Sequence, residues 1–230
     1  MVVVEVYRAI DHFTECKEFI IGHRKVLQVF DIANITSANL EWAFSPSSVV
    51  IMIKKEESGK LIGGARLQLV DDVLSIPLEE AVKDKDSNVN HYLKSLAGTG
   101  AVGEICGLWN TREGAKLGIG SKFLTRSAFV VAAQLNLKSS VMLCAPTTVK
   151  MATSMGCDVI TELGDEGKFY YPKIDLIATA MIKKDALDLT VVNSEDRKII
   201  ESLLDSPNQV LEHVTRSGNK VRVNYNLKIK

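Results

Sequence analysis

The chain has 230 residues, 46% of them hydrophobic and 24% charged, which fits one large globular domain or a domain with an appendage and excludes a disordered chain. Lys and Arg (28) balance Asp and Glu (28), so net charge gives no reason to expect nucleic acid or an acidic membrane surface as partner. Four scattered cysteines (Cys16, Cys106, Cys144, Cys157) and four scattered histidines lack metal-ligand spacing, so buried reduced thiols are expected, with no metal.

The start, MVVVEVYR, has no basic leader, and the longest apolar runs are too short to span a bilayer, which implies a cytoplasmic protein without a membrane span. Residues 2–7 read as a valine-rich strand. Asp11 is then the expected cap of a helix whose apolar face carries Phe13, Cys16, Ile20, His23, Leu27 and Phe30 at spacings of three and four. Residues 48–54 and 60–70 flank Glu56-Glu57-Ser58-Gly59, an antiparallel hairpin signature. One or two helices are expected over 78–96, and VGEICGLWN (102–110) reads as a buried strand.

Next comes Gly114-Ala115-Lys116-Leu117-Gly118-Ile119-Gly120-Ser121, opening a helix with a core stripe of Leu124, Ala128, Val131 and Leu135. A glycine turn ahead of a helix can direct several backbone N–H groups, and the positive end of the helix dipole, at one anion. The glycine spacing matches neither the Gly-Lys-Ser/Thr phosphate loop nor the dinucleotide fingerprint, so an ordinary strand-to-helix turn competes with this reading. SVMLCA (140–145) reads as a central strand stopped by Pro146, followed by a helix over 147–155 ending at Gly156. Strands follow at 159–163 and 174–183; then Ser194 is the expected cap of an acid-first helix stopped before Pro207. A closing hairpin joins 209–215 to 220–229 across Arg216-Ser217-Gly218-Asn219. The order is mixed α/β, with antiparallel pairing first and a strand–loop–helix–strand unit in the second half.

Over residues 102–159 this order resembles the GNAT superfamily of N-acyltransferases. There a strand carries a catalytic carboxylate and splays from its neighbour, a Gln/Arg-x-x-Gly-x-Gly/Ala loop grips the coenzyme A pyrophosphate, and a later helix ends in a Leu-Gly-Phe-like corner. Here the loop is Ala115-Lys116-Leu117-Gly118-Ile119-Gly120, with Ala115 in place of Gln/Arg, and the corner is Met155-Gly156-Cys157. The chain is most similar to the autoinducer-synthase and N-acyl amino acid synthase branch, on three segments: His23-Arg24-Lys25-Val26 with Val29-Phe30 and Trp42; Gly63-Gly64-Ala65-Arg66-Leu67; and Val102-Gly103-Glu104-Ile105-Cys106. Gly107 replaces an arginine of that branch, and residues 51–57 (IMIKKEE) lack its aspartate pair, which disfavours an S-adenosylmethionine-dependent lactone synthase.

The resemblance implies a GNAT-like fold over 1–185, a central mostly antiparallel sheet flanked by helices, with residues 186–230 as a helix–hairpin extension; a lid or dimerisation role for that extension is a further expectation, because its terminal strand can extend a sheet edge. A homodimer is left open. It implies acyl transfer to a small-molecule amine from acyl-CoA, or from the phosphopantetheine of acyl carrier protein. Glu104 is the expected general base, since a carboxylate in an apolar strand is partly desolvated and a better proton acceptor; a strut pairing it with Arg66 is the competing reading. Backbone groups of Gly107, Leu108 and Trp109 are expected along the pantetheine arm. The amides of Lys116, Leu117, Gly118, Ile119, Gly120, Ser121 and Lys122 are expected at the pyrophosphate, with the Lys116 and Lys122 ammonium groups as point charges or as solvated surface lysines. Arg24, Trp42 and Arg66 are substrate-side candidates against packing and salt-bridge roles. Cys106 and Cys144 read as buried small hydrophobes. No Tyr lies near Ala152, where many family members protonate the leaving thiolate. That gap, with Ala115, is what favours the alternative, a non-catalytic acyl-CoA-binding or regulatory module of the same fold.

Overall fold

The computed structural model describes residues 1–32, 35–215 and 218–229. Its framework is a ten-stranded sheet ordered β6-β8-β5-β4-β3-β2-β1-β10-β9, with β7 also paired to β8. The strands are β1 (Val2–Arg8), β2 (Ser48–Lys55), β3 (Leu61–Leu69), β4 (Val102–Asn110), β5 (Ser139–Cys144), β6 (Asp158–Val159), β7 (Lys168–Tyr170), β8 (Ile177–Lys183), β9 (Asn208–Val214) and β10 (Lys220–Asn226). All pairings are antiparallel except β4 with β5 and β1 with β10. This is the mixed sheet flanked by helices that the sequence implies.

The β-branched run of β2 is buried on both faces, because helices cover both. On one face α1 (Phe13–Gln28) lays Cys16, Phe19 and Ile20 against Val50, Met52 and Trp109. On the other, α5 (Ser121–Gln134) packs on Val49, Ile51, Ile53 and Leu67. The short helix α6 (Pro146–Ser154) follows β5, and α7 (Ser194–Asp205) backs α5 through Ile200 and Leu203. With the sheet on one side and α7 on the other, α5 is buried continuously from Phe123 to Ala132, not only on the expected stripe. Its hydroxyls are satisfied inside the helix: Thr125 donates to the Ser121 carbonyl at 2.9 Å and Ser127 to Phe123 at 3.1 Å. A third cluster joins α2 (Pro77–Val82) and α3 (Val89–Ala97) to the far end of the sheet.

Several local expectations are corrected. Asp11 lies in a 3-10 turn (Ala9–Asp11), His12 occupies the cap position, and no side chain caps α1. The expected buried face of α1 holds at Cys16, Ile20 and His23 and gains Phe19, while Phe13 at its start and Phe30 beyond its end are exposed. Asn193, not Ser194, caps α7, accepting from the Asp196 N–H at 3.0 Å. The strand expected at 159–163 is the two-residue β6, and β7 and a short helix α4 (Arg112–Lys116) were not anticipated. The closing hairpin forms as β9–β10 and adds β10 in parallel to β1. Arg216 and Ser217 of its turn lie outside the described residues. Among the described residues no helix is long and apolar enough to cross a membrane.

Candidate active site

The site begins where β4 and β5 part. They pair in parallel only at Val102–Ser139, Gly103–Ser140 and Glu104–Val141. On its other edge β4 bulges: Gly107 and Leu108 together oppose Ala65, between the pairs Arg66–Cys106 and Gly64–Trp109. Gly107 takes φ +54°, a conformation a side chain disfavours. Pairing lost on one edge and a bulge on the other leave a cavity of about 210 Å³ between the strands, lined by Glu104, Cys106, Gly107, Met142, Cys144 and Ala152 among others. Its walls are mostly apolar.

Glu104 lines this cavity at 2% exposure. One carboxyl oxygen, Oε2, accepts the Leu78 N–H at 2.8 Å, satisfying one of the unpaired donors at the start of α2. Burial pushes its carboxyl up to about 8, against the opposing pull of the Leu78 bond and the Arg66 charge. The Arg66 strut does not form: Glu104 faces Gln68 across the ladder, while Arg66 faces Cys106 and donates from Nε to its Sγ at 3.2 Å. Cys106 and Cys144 are buried, and burial pushes their thiols up to about 12 and about 11, consistent with apolar roles.

The glycine loop lies just beyond β4. Thr111 caps α4, accepting the Gly114 N–H at 3.1 Å. The N–H groups of Leu117, Gly118 and Ile119 are taken by carbonyls of Glu113, Gly114 and Ala115. Those of Gly120, Ser121 and Lys122 have no backbone partner among the described residues, and a side chain at Gly120 would meet nothing within 4 Å. The start of α5 therefore leaves three N–H donors without a backbone acceptor, which suits an anion. Gly118, at φ +73°, rests against Thr215 of the closing hairpin, which occupies the place of its missing Cβ. Lys122 pairs with Asp196 at 2.6 Å, and Asp196 also binds Arg126 and Asn193. The Lys116 ammonium is exposed.

The substrate-side candidates divide. Trp42 donates from Nε1 to the Asn39 carbonyl at 2.7 Å, and its ring lies 4.6 Å from the Arg66 guanidinium carbon. Both border a second cavity of about 300 Å³. Arg24 stands apart, holding the 3-10 turn Thr36–Ala38 through bonds of 3.0 and 2.8 Å to the Ala38 carbonyl. Leu108 lies in the cavity wall, while the Trp109 ring is buried against α1.

Three lining residues went unanticipated. Tyr171 reaches the cavity from the β7–β8 connection, its hydroxyl accepting from the Thr36 N–H at 2.7 Å and paired with Thr36 Oγ1 at 2.9 Å. Thr36 in turn donates to the Pro77 carbonyl at 2.9 Å. His23 is buried with Nδ1 unpaired, and burial with the Arg66 and Arg24 charges pushes its ring down to about 4, so it is neutral at pH 7. His23 stood within a segment noticed in the sequence; nothing local distinguished Thr36 or Tyr171. Among the described residues no cluster of His, Cys, Asp and Glu could hold a metal ion.

No protein-family model matches the chain, and no curated protein matches its sequence. Solved structures match its fold. FeeM, an N-acyl amino acid synthase from uncultured soil microbes, is 13% identical, covers 86% of this chain and 98% of its own, and superposes with a TM-score of 0.61. BjaI, a CoA-dependent acyl-homoserine lactone synthase solved with SAM and isopentyl-CoA, is 9% identical over 90% of this chain and 91% of its own, with a TM-score of 0.53. An acyl-CoA N-acyltransferase from Pseudomonas aeruginosa is 13% identical over 80% of this chain and 99% of its own, with a TM-score of 0.51. The chain thus shares the fold of these solved structures.

Proposed function

We propose that the protein is an N-acyltransferase that moves an acyl group from an acyl thioester, acyl-CoA or acyl carrier protein, to an amine by direct attack. The observation that carries this reading is the parting of β4 from β5 around an apolar cavity with a buried carboxyl in its wall. The free edge of β4 from Ile105 onward can pair with an extended pantetheine arm as a further strand would. The three open N–H groups at the start of α5 can hold the phosphates at its other end.

In the reaction the amine nitrogen attacks the thioester carbonyl, the C–N bond forms, the C–S bond breaks and the thiol leaves. Glu104, when ionised, takes the proton the amine must lose. A carboxyl titrating near 8 is a stronger base than an exposed one, and suits a substrate that arrives as an ammonium. The apolar walls keep water from the thioester. Residues 186–230 act as an extension that braces the phosphate end, through Thr215 against Gly118 and Asp196 against Lys122 and Arg126.

The test is thiol release from octanoyl-CoA and from octanoyl carrier protein, with and without a panel of amines. Release that requires an amine supports transfer. Binding of either donor without amine-dependent release would instead support a non-catalytic acyl-thioester-binding module.

A further inference from the structure

A polar side chain buried without a hydrogen-bond partner costs stability, and one that lines a cavity is placed to receive its partner from a ligand. His23 is such a side chain. It is 3% exposed, lines the apolar cavity together with Glu104, and leaves Nδ1 unpartnered, with no hydrogen bond or ion pair to its ring among the described residues. Of the described side chains that bury an orphaned polar atom, His23 alone lines that cavity.

Helix α1 brings the ring to the parted strands. Phe19, one turn before His23, fills the space that a side chain at Gly64 would take, 2.7 Å from that Cβ position. The helix thus covers the face of the sheet that carries Arg66 and Gln68 and, across the ladder, Cys106 and Glu104. At the bulge, a Cβ on Gly107 would lie 3.7 Å from His23 Cε1, the ring carbon between the two nitrogens. Gly107 belongs to the free edge of β4 that offers itself to a pantetheine arm. The imidazole edge therefore stands beside the path of that arm, on the face from which Glu104 projects.

Burial and the charges of Arg66 and Arg24 push the ring down to about 4, so at pH 7 it is neutral and keeps one N–H to donate. Arg66 is itself 1% exposed, forms no ion pair among the described residues, and leaves Nη1 unpartnered. A field that opposes an imidazolium favours a negative charge in the same place. In an acyl thioester under attack, the atom that gains negative charge is the carbonyl oxygen. Resting on the acyltransferase reading, we propose that His23 is a catalytic residue whose neutral imidazole N–H donates to the thioester carbonyl and holds the oxyanion that forms there. As the C–N bond forms, the carbonyl π pair moves onto this oxygen, and it returns as the C–S bond breaks. The proton that leaves nitrogen goes to Glu104 and from there to the departing sulfur, so His23 gains and loses none. A donor fixed beforehand in an apolar wall stabilises such a charge more than one in water does.

The experiment binds octanoyl-CoA and octanoyl carrier protein, each isotope-labelled at the carbonyl carbon, and reads the carbonyl stretch by infrared difference spectroscopy. In the wild type the bound band is expected at lower frequency than the free one, because a hydrogen bond weakens the C=O bond. His23→Gln keeps an N–H donor and should retain part of the lowering; His23→Leu should lose it. With an accepted amine, kcat of the Leu variant is expected to fall by about 10²–10³-fold while donor affinity stays within about twofold, a split that a packing role does not produce. On the unaltered protein, octanoyl-CoA should move one imidazole N–H resonance that S-octyl-CoA, with a methylene in place of the carbonyl, leaves unmoved, a comparison that holds even if both variants fail to fold. A bound thioester that moves no imidazole resonance, or whose band is lowered alike in the Leu variant, overturns the proposal and leaves acyl transfer standing. A melting temperature that neither donor raises overturns it together with the acyl-thioester reading.

Discussion

Replacing Glu104 with Gln keeps an oxygen for the Leu78 N–H and nearly the same volume, but removes the titrating carboxyl. Burial raises that carboxyl from an ordinary 4.5 to about 8. Between those values the folded chain holds a proton that the unfolded chain has released, so the stability this group confers is complete below about 4.5 and gone above about 8. The slope for one proton is about 1.4 kcal/mol per pH unit, and the whole window sums to an upper bound of about 5 kcal/mol, lowered by any water the cavity admits. Urea unfolding at intervals from pH 5 to pH 8.5 should therefore show the Gln variant gaining on the wild type as pH rises. Turnover should fall by about 10²–10⁴-fold in the variant, and the wild-type rate should climb until the carboxyl is ionised near pH 8. Parallel stability curves for the two proteins would refute the raised carboxyl. Undiminished turnover in a folded variant would remove Glu104 as the base.

Two further changes probe what surrounds the site. Asp196→Asn takes the countercharge from buried Arg126 and from Lys122, and should cost about 3–5 kcal/mol in urea unfolding. Burial pushes the Asp196 carboxyl up, but bonds from Lys122, Asn193 and Arg126 outweigh it and hold it below the usual range. Wild-type stability from this group should thus be present at neutral pH and drain away in acid, a loss the Asn variant does not share. Tyr171→Phe leaves the Thr36 N–H without its acceptor at 2.7 Å and should cost about 1–3 kcal/mol by the same assay. A cost near zero would mean that the Thr36–Tyr171 contact does not hold the cavity wall together.

What was legible followed from local rules. Alternation and β-branching marked β1 to β5, and β4 was placed to the residue at Val102–Asn110. The glycine spacing marked the start of α5, since Gly120 carries no side chain to obstruct its open N–H groups. Caps were missed because Ser194 and Asn193 are both good caps in sequence, and only the bond to the Asp196 N–H chooses between them. The face of α1 was legible at Cys16, Ile20 and His23, but Phe19 was missed because its burial comes from tertiary contact with Trp42 and Trp109. Tyr171 and Thr36 meet across 135 positions of chain, beyond any periodicity. The unpaired state of Arg66 was equally invisible, because it depends on which residue lies across the strand, and a bulge at Gly107–Leu108 sets that register.

The central claim, that the parted strands and the start of α5 hold an acyl thioester, is tested most directly by melting the protein with octanoyl-CoA beside a Gly120→Glu variant. At about 100 times the dissociation constant, a ligand specific to the folded state adds about 2.7 kcal/mol. For a chain of this size that is a rise of roughly 5–10 °C. The variant should fold normally, since its new side chain meets open space, and should lose the rise because a carboxylate replaces the phosphates. A melting temperature unmoved by the thioester, or one that rises equally in both proteins, would contradict the account.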